Sequence, residues 1–182
     1  MRADKERLRT ALKARRLALT SRELQVAGDA AARFVTQLPE WKQAKTVCLY
    51  ASFGGELPTD ALMMLALLEG KRLLLPRVTN KTTLTLHEVT DLAALWPSRL
   101  GIREPKSAAP AASLADAGLV LVPGLGFGGG FYDRLLAKPP RKTFLLGHAH
   151  AFQLVPRLPE EPHDIKVKAV VSPQGVIRCR VR

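Results

Sequence analysis

Cysteine and aromatic side chains are scarce in this sequence, and it contains no long apolar run. Its two cysteines are too few for a disulfide framework and lack the CxxC or CxxH spacing typical of zinc sites. The longest apolar run, residues 61–68, is far shorter than the roughly 20 residues that a bilayer span needs. The first residues mix both charges and lack the apolar stretch of a secretory signal. We therefore expect a cytoplasmic protein that does not contact a membrane.

The composition is that of a globular domain. The chain has 182 residues, of which 47% are hydrophobic and 24% are charged. This balance excludes wholesale disorder and fibrous repeats, and the length is close to the roughly 150 residues of a typical domain. We predict one domain that spans residues 1–182.

Positive charge is in excess and is concentrated at the start of the chain. Lysine and arginine number 28 against 16 acidic residues, which gives a net charge of +12. The first 22 residues hold eight basic and two acidic residues, so half of the net charge lies there. This excess predicts attraction to polyanions, but charge alone does not distinguish nucleotides, polyglutamates and nucleic acids.

Hydrophobic spacing and capping residues place the secondary structure. A helix is predicted over residues 4–19 because Leu8, Leu12, Arg15 or Arg16, and Leu19 recur at helical spacing. Its outer face is strongly basic. Further helices are predicted from a capping box at Thr20 and Glu23 to Pro39, at 59–69 and at 131–137. Strands are predicted at 46–50, 72–75, 82–87, 119–122, 143–146, 169–171 and 176–178, and a loop at 97–110.

The alternation of strands and helices decides the fold class. It predicts a three-layer α/β domain with helices on both faces of a mostly parallel sheet and room for an antiparallel end. Ligands bind beyond the carboxyl ends of the strands in such sheets. Two loops qualify, residues 53–56 after the first strand and residues 123–134 after the most apolar strand.

The second of these loops carries three consecutive glycines and an acid. Gly128, Gly129 and Gly130 can aim successive backbone N–H groups at one point, which makes a suitable phosphate cradle. A flexible turn is the alternative interpretation of the same glycines. The pattern GxxxxGK[ST] does not occur, so a P-loop is excluded. Asp133 can hold Mg²⁺ beside phosphates, or it can offset the helix dipole.

Eight short motifs follow one another along the chain. They are Lys5-Glu6-Arg7-Leu8-Arg9, Tyr50 to Glu56, Leu75-Pro76-Arg77-Val78, Gly101 to Pro105, Val122-Pro123-Gly124, Gly128 to Asp133, Gly147-His148-Ala149 with Gln153, and Pro159 to Asp164. Each motif alone is weak. In this order, over nearly the whole chain, they resemble the 5-formyltetrahydrofolate cyclo-ligase family, also called methenyltetrahydrofolate synthetases.

The resemblance implies a fold and a reaction. The fold is a Rossmann-like α/β/α domain of the NagB/RpiA/CoA transferase-like type, and we expect a monomer. The reaction converts 5-formyltetrahydrofolate, with or without a polyglutamate tail, to 5,10-methenyltetrahydrofolate and requires ATP and Mg²⁺. ATP phosphorylates the formyl oxygen, and ADP is released. N10 then attacks the activated carbon, and phosphate departs. Such chemistry needs a positioned, charge-stabilised phosphoryl group beside a pterin pocket.

The resemblance also implies site residues, position by position. Those for ATP are Lys5, Arg9, Gly128, Gly129, Gly130, Phe131 and Tyr132, and those for folate are Phe53, Glu56 and Tyr132. Tyr132 is also implied as catalytic, and Asp133 and Asp164 as metal ligands. Without the resemblance, solvated charges and packed aromatic rings would be the favoured interpretation of these side chains.

One loop departs from the family pattern. That pattern runs approximately F-D-x-x-G-x-R-L-G-x-G-x-G-[FY]-Y-D, whereas Phe127 is joined here directly to Gly128. The missing arginine is expected at the phosphates, so a true deletion would weaken ATP binding. The other explanation, which we favour because glycine-rich lids are commonly mobile, is a mobile segment that the printed sequence omits. An intact-protein mass that matches the printed chain would refute it.

Two other functions compete with this one. A nucleic-acid-binding module would explain the charge of +12, but the basic residues are not interleaved with aromatic ones and no such motif is recognisable. A relative that kept the fold but lost or changed its reaction would explain the short loop. Incubation with MgATP and 5-formyltetrahydrofolate separates the possibilities, because the methenyl product is detected directly by its absorbance.

Overall fold

A computed structural model describes residues 2–80, 82–98, 101–125, 130–137, 139–140, 142–156, 158, 161 and 164–179. Its helices are α1 (Arg2–Leu17), α2 (Ser21–Gln37), α3 (Pro39–Gln43), α4 (Asp60–Leu68) and α5 (Phe131–Leu135). Its strands are β1 (Thr46–Cys48), β2 (Arg72–Val78), β3 (Leu84–Val89), β4 (Trp96–Pro97), β5 (Arg103–Glu104), β6 (Ala111–Ala112), β7 (Leu119–Pro123), β8 (Phe144–His148), β9 (Ala169–Ser172) and β10 (Gly175–Arg178).

Eight of these strands form a single sheet in the order β10-β9-β8-β7-β1-β2-β3-β6. The central strands β9, β8, β7, β1 and β2 run parallel to one another. Strand β10 at one end, and β3 and β6 at the other, run antiparallel to their neighbours. The predicted mostly parallel α/β sheet is therefore confirmed, with antiparallel pairing at both ends.

Alternate side chains of the central strands enter two separate apolar clusters. Val47, Leu73 and Leu119 pack towards α2, α3 and α4. Cys48 and Leu74 point the other way, into a cluster that includes residues of α5 and the loops around it. Because strand side chains alternate and both faces are covered, these strands are apolar at nearly every position. The layer on the α5 side is thin, since α5 has only five residues.

The local predictions have mixed outcomes. The capping box is confirmed, because the Thr20 hydroxyl accepts from the Glu23 backbone N–H and the Glu23 carboxylate accepts from the Thr20 N–H. The predicted loop over 97–110 is wrong in part, since Trp96–Pro97 and Arg103–Glu104 pair as a short antiparallel ribbon. Proline and glycine, which mark loops, are also tolerated in short edge strands.

The chain leaves two neighbouring strands in opposite directions. After β1 it forms α4 on one face of the sheet, and after β7 it forms α5 on the other. A crevice opens at such a switch point, outside the carboxyl ends of the strands. Within the described part of the chain, no helix is long and apolar enough to cross a membrane.

Candidate active site

A cavity of about 560 Å³ lies at the carboxyl ends of β1, β2 and β7. This volume is typical of a site for a small molecule. Its wall is built from α1, the loop after β1, the loop after β7 together with α5, and the turn around residues 161–164. The two loops that the sequence singled out therefore meet in one cavity.

The structure brings most of the predicted site residues to this cavity. They are Lys5, Arg9, Glu56, Gly130, Phe131, Tyr132, Asp133 and Asp164. Gly128 and Gly129 lie outside the described residues. Phe53 borders a shallower neighbouring pocket, which meets the cavity at Glu56. A Cβ placed on Gly101 would lie 3.0 Å from the Phe53 ring, so this ring packs on the 101–104 segment.

The glycine-rich loop of this chain is shorter than the family pattern. The full sequence of 182 residues continues from Phe127 to Gly128 without an insert, which favours a true deletion over an omitted segment. That junction lies outside the described residues. Gly130 is described, with a φ of 63° at the start of α5. This left-handed conformation favours glycine, because a Cβ there is strained.

Lys5 lies between two carboxylates at one side of the cavity. Its Nζ donates to Glu161 Oε2 and to Asp164 Oδ2, each at 2.7 Å. Asp164 Oδ2 also accepts from the Glu161 backbone N–H at 2.7 Å. The hydrogen bonds with Asp164 and then Glu161 raise the pKa of Lys5, against the effect of desolvation. A predicted ATP contact and a predicted metal ligand are thus in direct contact with each other.

Arg9 and Asp133 border the same space. The Arg9 Nη1 donates to Glu6 Oε2 at 3.0 Å, while its Nε is buried and has no hydrogen-bond partner among the described residues. Asp133 lies in the first turn of α5, and its Oδ2 would be 3.9 Å from a Cβ on Gly130. Its carboxylate therefore lies beside the glycine turn, as the sequence predicted.

Glu56 lies at the back of the cavity and is nearly buried. Its Oε2 accepts from the Phe53 backbone N–H at 3.1 Å, and its Oε1 is 3.7 Å from Arg16 Nη1. Burial raises the pKa of Glu56 to about 7, although the Phe53 N–H and the Arg16 charge act to lower it. The carboxyl group therefore changes its charge near neutral pH, which is unusual for a structural acid and typical of functional sites.

Tyr132 and Tyr50 face Glu56 across the cavity. Burial raises the pKa of both hydroxyl groups well above their ordinary value, and the nearby Glu56 charge adds to the effect. The Tyr50 hydroxyl lies 2.9 Å from His148 Nδ1, and burial lowers the pKa of His148 to about 3. At neutral pH the tyrosines therefore stay protonated, so they can donate hydrogen bonds but cannot act as bases.

The sequence interpretation missed several residues of this site. Glu161 precedes Asp164 by three positions in the same turn, and this spacing was the available signal. The buried Arg16 occupied an apolar position of the predicted helix, which was also a visible signal. His150, whose Nε2 donates to the Gly55 carbonyl at 2.9 Å, had no local signal. The buried Glu104, which accepts from the Val78 N–H, had no local signal in the sequence either.

Comparison with known proteins identifies the family. Residues 1–173 match the model of the 5-formyltetrahydrofolate cyclo-ligase family. A 5-formyltetrahydrofolate cyclo-ligase of Escherichia coli (strain K12) is 36% identical over 181 residues, covering 91% of this chain and 98% of that protein. One from Haemophilus influenzae is 31% identical over 175 residues, covering 88% of this chain and 93% of that protein.

Solved structures agree with the sequence comparison. The NMR structure of 5,10-methenyltetrahydrofolate synthetase from Aquifex aeolicus has a TM-score of 0.83 at 32% identity and covers 98% of this chain and 94% of its own. The Mycoplasma pneumoniae 5,10-methenyltetrahydrofolate synthetase has a TM-score of 0.75 at 22% identity, with 93% and 99% covered, and shows likeness of fold alone. The predicted family and α/β fold are confirmed: this chain belongs to the 5-formyltetrahydrofolate cyclo-ligase family.

Proposed function

We propose that this chain is an enzyme that converts 5-formyltetrahydrofolate to 5,10-methenyltetrahydrofolate and hydrolyses ATP to ADP and phosphate. The observation that supports this most is the cavity at the switch point of the sheet, where the predicted ATP, folate and metal residues meet. It is lined by Lys5, Arg9 and Gly130, which are groups suited to phosphates, and by Asp133, which suits a metal ion bound to them. It is also lined by Glu56 and by the protonated Tyr50 and Tyr132, which together suit a flat ring with N–H donors.

The basic side chains of the cavity would hold the triphosphate. Lys5 and Arg9 project from α1 into the cavity, where Arg9 keeps a buried N–H donor that has no partner among the described residues. A buried donor of this kind gains most when a ligand oxygen accepts from it. The glycine run would add backbone N–H groups, and Phe131 and Tyr132 would border the nucleotide. Because the family's loop arginine is absent, we expect weaker ATP binding than in relatives that carry the full loop.

Mg²⁺ fits the oxygen donors of this cavity. Asp133 and Asp164 offer carboxylates, which this ion prefers, and it commonly takes only one or two from a protein. The ammonium of Lys5 already lies 2.7 Å from the Asp164 and Glu161 oxygens, so this position stabilises positive charge. We therefore propose Asp133 and Asp164 as the residues that would hold Mg²⁺. When bound, the ion would neutralise charge on the phosphate oxygens.

The protein's own residues would mainly bind and orient the reactants. Glu56 would accept hydrogen bonds from pterin N–H groups and so fix the ring, while Phe53 would flank it from the neighbouring pocket. The formyl oxygen then attacks the γ-phosphorus as ADP leaves. N10 attacks the formyl carbon and loses its proton, and phosphate carries away the formyl oxygen. Tyr132, which stays protonated, would donate a hydrogen bond to oxygen atoms that gain charge.

The decisive experiment is an assay of the purified chain with MgATP and 5-formyltetrahydrofolate. We expect an increase in absorbance from the methenyl product, together with equimolar ADP. No product should form when ATP is omitted. Absence of product in the complete mixture, with both ligands bound, would instead support the altered relative that the short loop suggests. Salt-sensitive binding of oligonucleotides, tighter than that of MgATP, would support a nucleic-acid-binding module.

Replacement of Glu56 tests the folate side of the cavity. We expect Glu56→Gln to raise the dissociation constant of 5-formyltetrahydrofolate by about 10–100-fold, because one hydrogen-bonded charge contributes about 1.5–3 kcal/mol. MgATP affinity should stay within about twofold of the original value, since Glu56 is proposed to contact the folate and not the nucleotide. Equilibrium titrations with each ligand measure both effects. An unchanged folate affinity would remove Glu56 from the proposed site.

Location, oligomeric state and tail preference complete the proposal. We propose a monomeric cytoplasmic enzyme that accepts folates with or without a polyglutamate tail. The net charge of +12 supports the binding of anionic tails and of ATP.

A further inference from the structure

Arg16 is a buried charge at a helix position where an apolar residue is expected. It continues the stripe of Leu8 and Leu12 on α1 and is only 5% exposed. Its neighbour Arg15 is exposed, with its guanidinium 4.7 Å from the centre of the Phe152 ring. A leucine in place of Arg16 would bury apolar surface without the desolvation of a charge. Stability alone therefore does not explain an arginine here.

The Arg16 guanidinium joins the two loops that build the cavity. Its Nη1 donates to the Leu125 carbonyl at 2.9 Å, in the loop after β7. The same atom lies 3.7 Å from Glu56 Oε1, in the loop after β1. Its Nη2 would be 3.8 Å from a Cβ on Gly54. One side chain thus contacts the glycine-loop side and the predicted folate side of the site.

The hydrogen bonding of Arg16 is incomplete for a buried cation. Its Nε is buried and has no hydrogen-bond partner among the described residues. Its ion pair with Glu56, at 3.7 Å, is longer than an ideal charge-assisted hydrogen bond. A buried polar group with unused donors destabilises a fold, and such groups are kept where they serve a site.

We propose that Arg16 is a positioning residue for the cyclo-ligase reaction, which acts through Glu56 by holding that carboxylate charged and oriented towards the folate. The proposal rests on the folate-binding role proposed for Glu56. Arg16 itself does not line the cavity among the described residues, so it is not expected to touch the substrate.

The electrostatics of Glu56 support this role. Burial pushes its pKa up to about 7, while the Phe53 N–H and then Arg16 oppose that rise. The charged or titratable groups that interact with it are Arg16 from α1, Tyr50 after β1 and Tyr132 from α5. Nearby, His150 after β8 binds the Gly55 carbonyl, and Asp60 at the start of α4 lines the adjoining pocket. Lys5 and Arg9 line the same cavity. Of the groups around Glu56, Arg16 is the cation that forms a recorded ion pair with it.

The proposal predicts a pH signature. Folate binding through the Glu56 carboxylate should strengthen as the pH rises through about 7, because the group ionises there. Arg16→Gln keeps an amide donor for the Leu125 carbonyl but removes the charge. The pH midpoint of folate binding should then move upward by about one unit, and the dissociation constant near pH 7 should rise about fivefold, because the ionised fraction of Glu56 falls. MgATP affinity should change less than about twofold.

A double-mutant cycle with matched controls tests the mechanism. The dissociation constant of 5-formyltetrahydrofolate is measured on both sides of pH 7 for Arg16→Gln, Glu56→Gln and the double variant. In the Glu56→Gln background, Arg16→Gln should raise this dissociation constant by less than about twofold, because Arg16 acts through Glu56. Arg15→Gln, which removes an equal charge from the exposed neighbour, should bind like the original protein. Arg16→Lys, which keeps the positive charge, should retain the original pH midpoint of folate binding.

Each outcome decides a separate point. An equal loss from Arg16→Gln with and without Glu56 would overturn the positioning role, as would an unmoved midpoint. A harmless Glu56→Gln would instead refute the folate-binding role of Glu56. Should Arg16→Gln fail to fold, Arg16→Lys carries the test. Retention of the original midpoint by this charge-preserving variant supports the proposal, and a displaced midpoint contradicts it.

Discussion

Replacing Asp133 with asparagine should lower the turnover of the cyclo-ligase reaction by about 10²–10³-fold, with little change in the fold. The estimate follows from the usual loss when one preorganised electrostatic contact to a reacting group is removed. Asp133 is half-buried beside the glycine turn and lines the cavity. Within the described residues, no hydrogen bond or ion pair involves its carboxylate, so asparagine should cost the fold little beyond the favourable charge at the start of α5.

Steady-state turnover at varied Mg²⁺ concentration measures the effect. The asparagine variant should need more Mg²⁺ for half-maximal rate, since an amide is a weaker ligand than a carboxylate. Asp29→Asn is the matched control, because Asp29 lies on α2 and accepts from the Gln25 amide at 2.9 Å, outside the cavity. Undiminished turnover of Asp133→Asn, with an unchanged Mg²⁺ requirement, would remove Asp133 from the proposed metal site.

Most of the fold could be predicted because its signals are local. The apolar runs of β1 and β7 indicate strands that are covered on both faces, and the Thr20 and Glu23 pattern fixes the start of α2. Strand order is not local, since β7 lies next to β1 although α4 and β2 to β6 intervene in the chain. The short ribbon of β4 and β5 escaped detection because two-residue strands carry no periodic pattern.

The site was predictable where a motif marks it and was missed where packing creates it. Asp133 follows a glycine run, and Glu56 follows a turn at the end of β1, so both could be proposed from position. The contact of Lys5 with Asp164 joins residues 159 positions apart. No spacing rule predicts such a pair. The pKa of Glu56 likewise results from burial by several separate segments.

Replacing Gly55 with alanine should destabilise the fold and displace Glu56. Gly55 has a φ of 76°, where a Cβ is strained by about 1–2 kcal/mol. That Cβ would also lie 2.6 Å from the backbone oxygen of Arg16, so the loop or α1 must shift. Overpacking of this kind adds about 1–3 kcal/mol. At about 2–4 °C per kcal/mol for a chain of this size, the melting temperature should fall by about 4–20 °C.

Gly70→Ala separates backbone strain from close packing. Gly70 has a φ of 68°, but no atom of the described residues lies within 4 Å of a Cβ placed there, so only the strain should appear. Its melting temperature should fall by about 2–8 °C, and folate affinity should not change. Gly55→Ala should weaken 5-formyltetrahydrofolate binding about tenfold or more, because it displaces the adjacent Glu56. Equal effects of the two substitutions on stability and on folate binding would show that the loop does not pack on α1 as described.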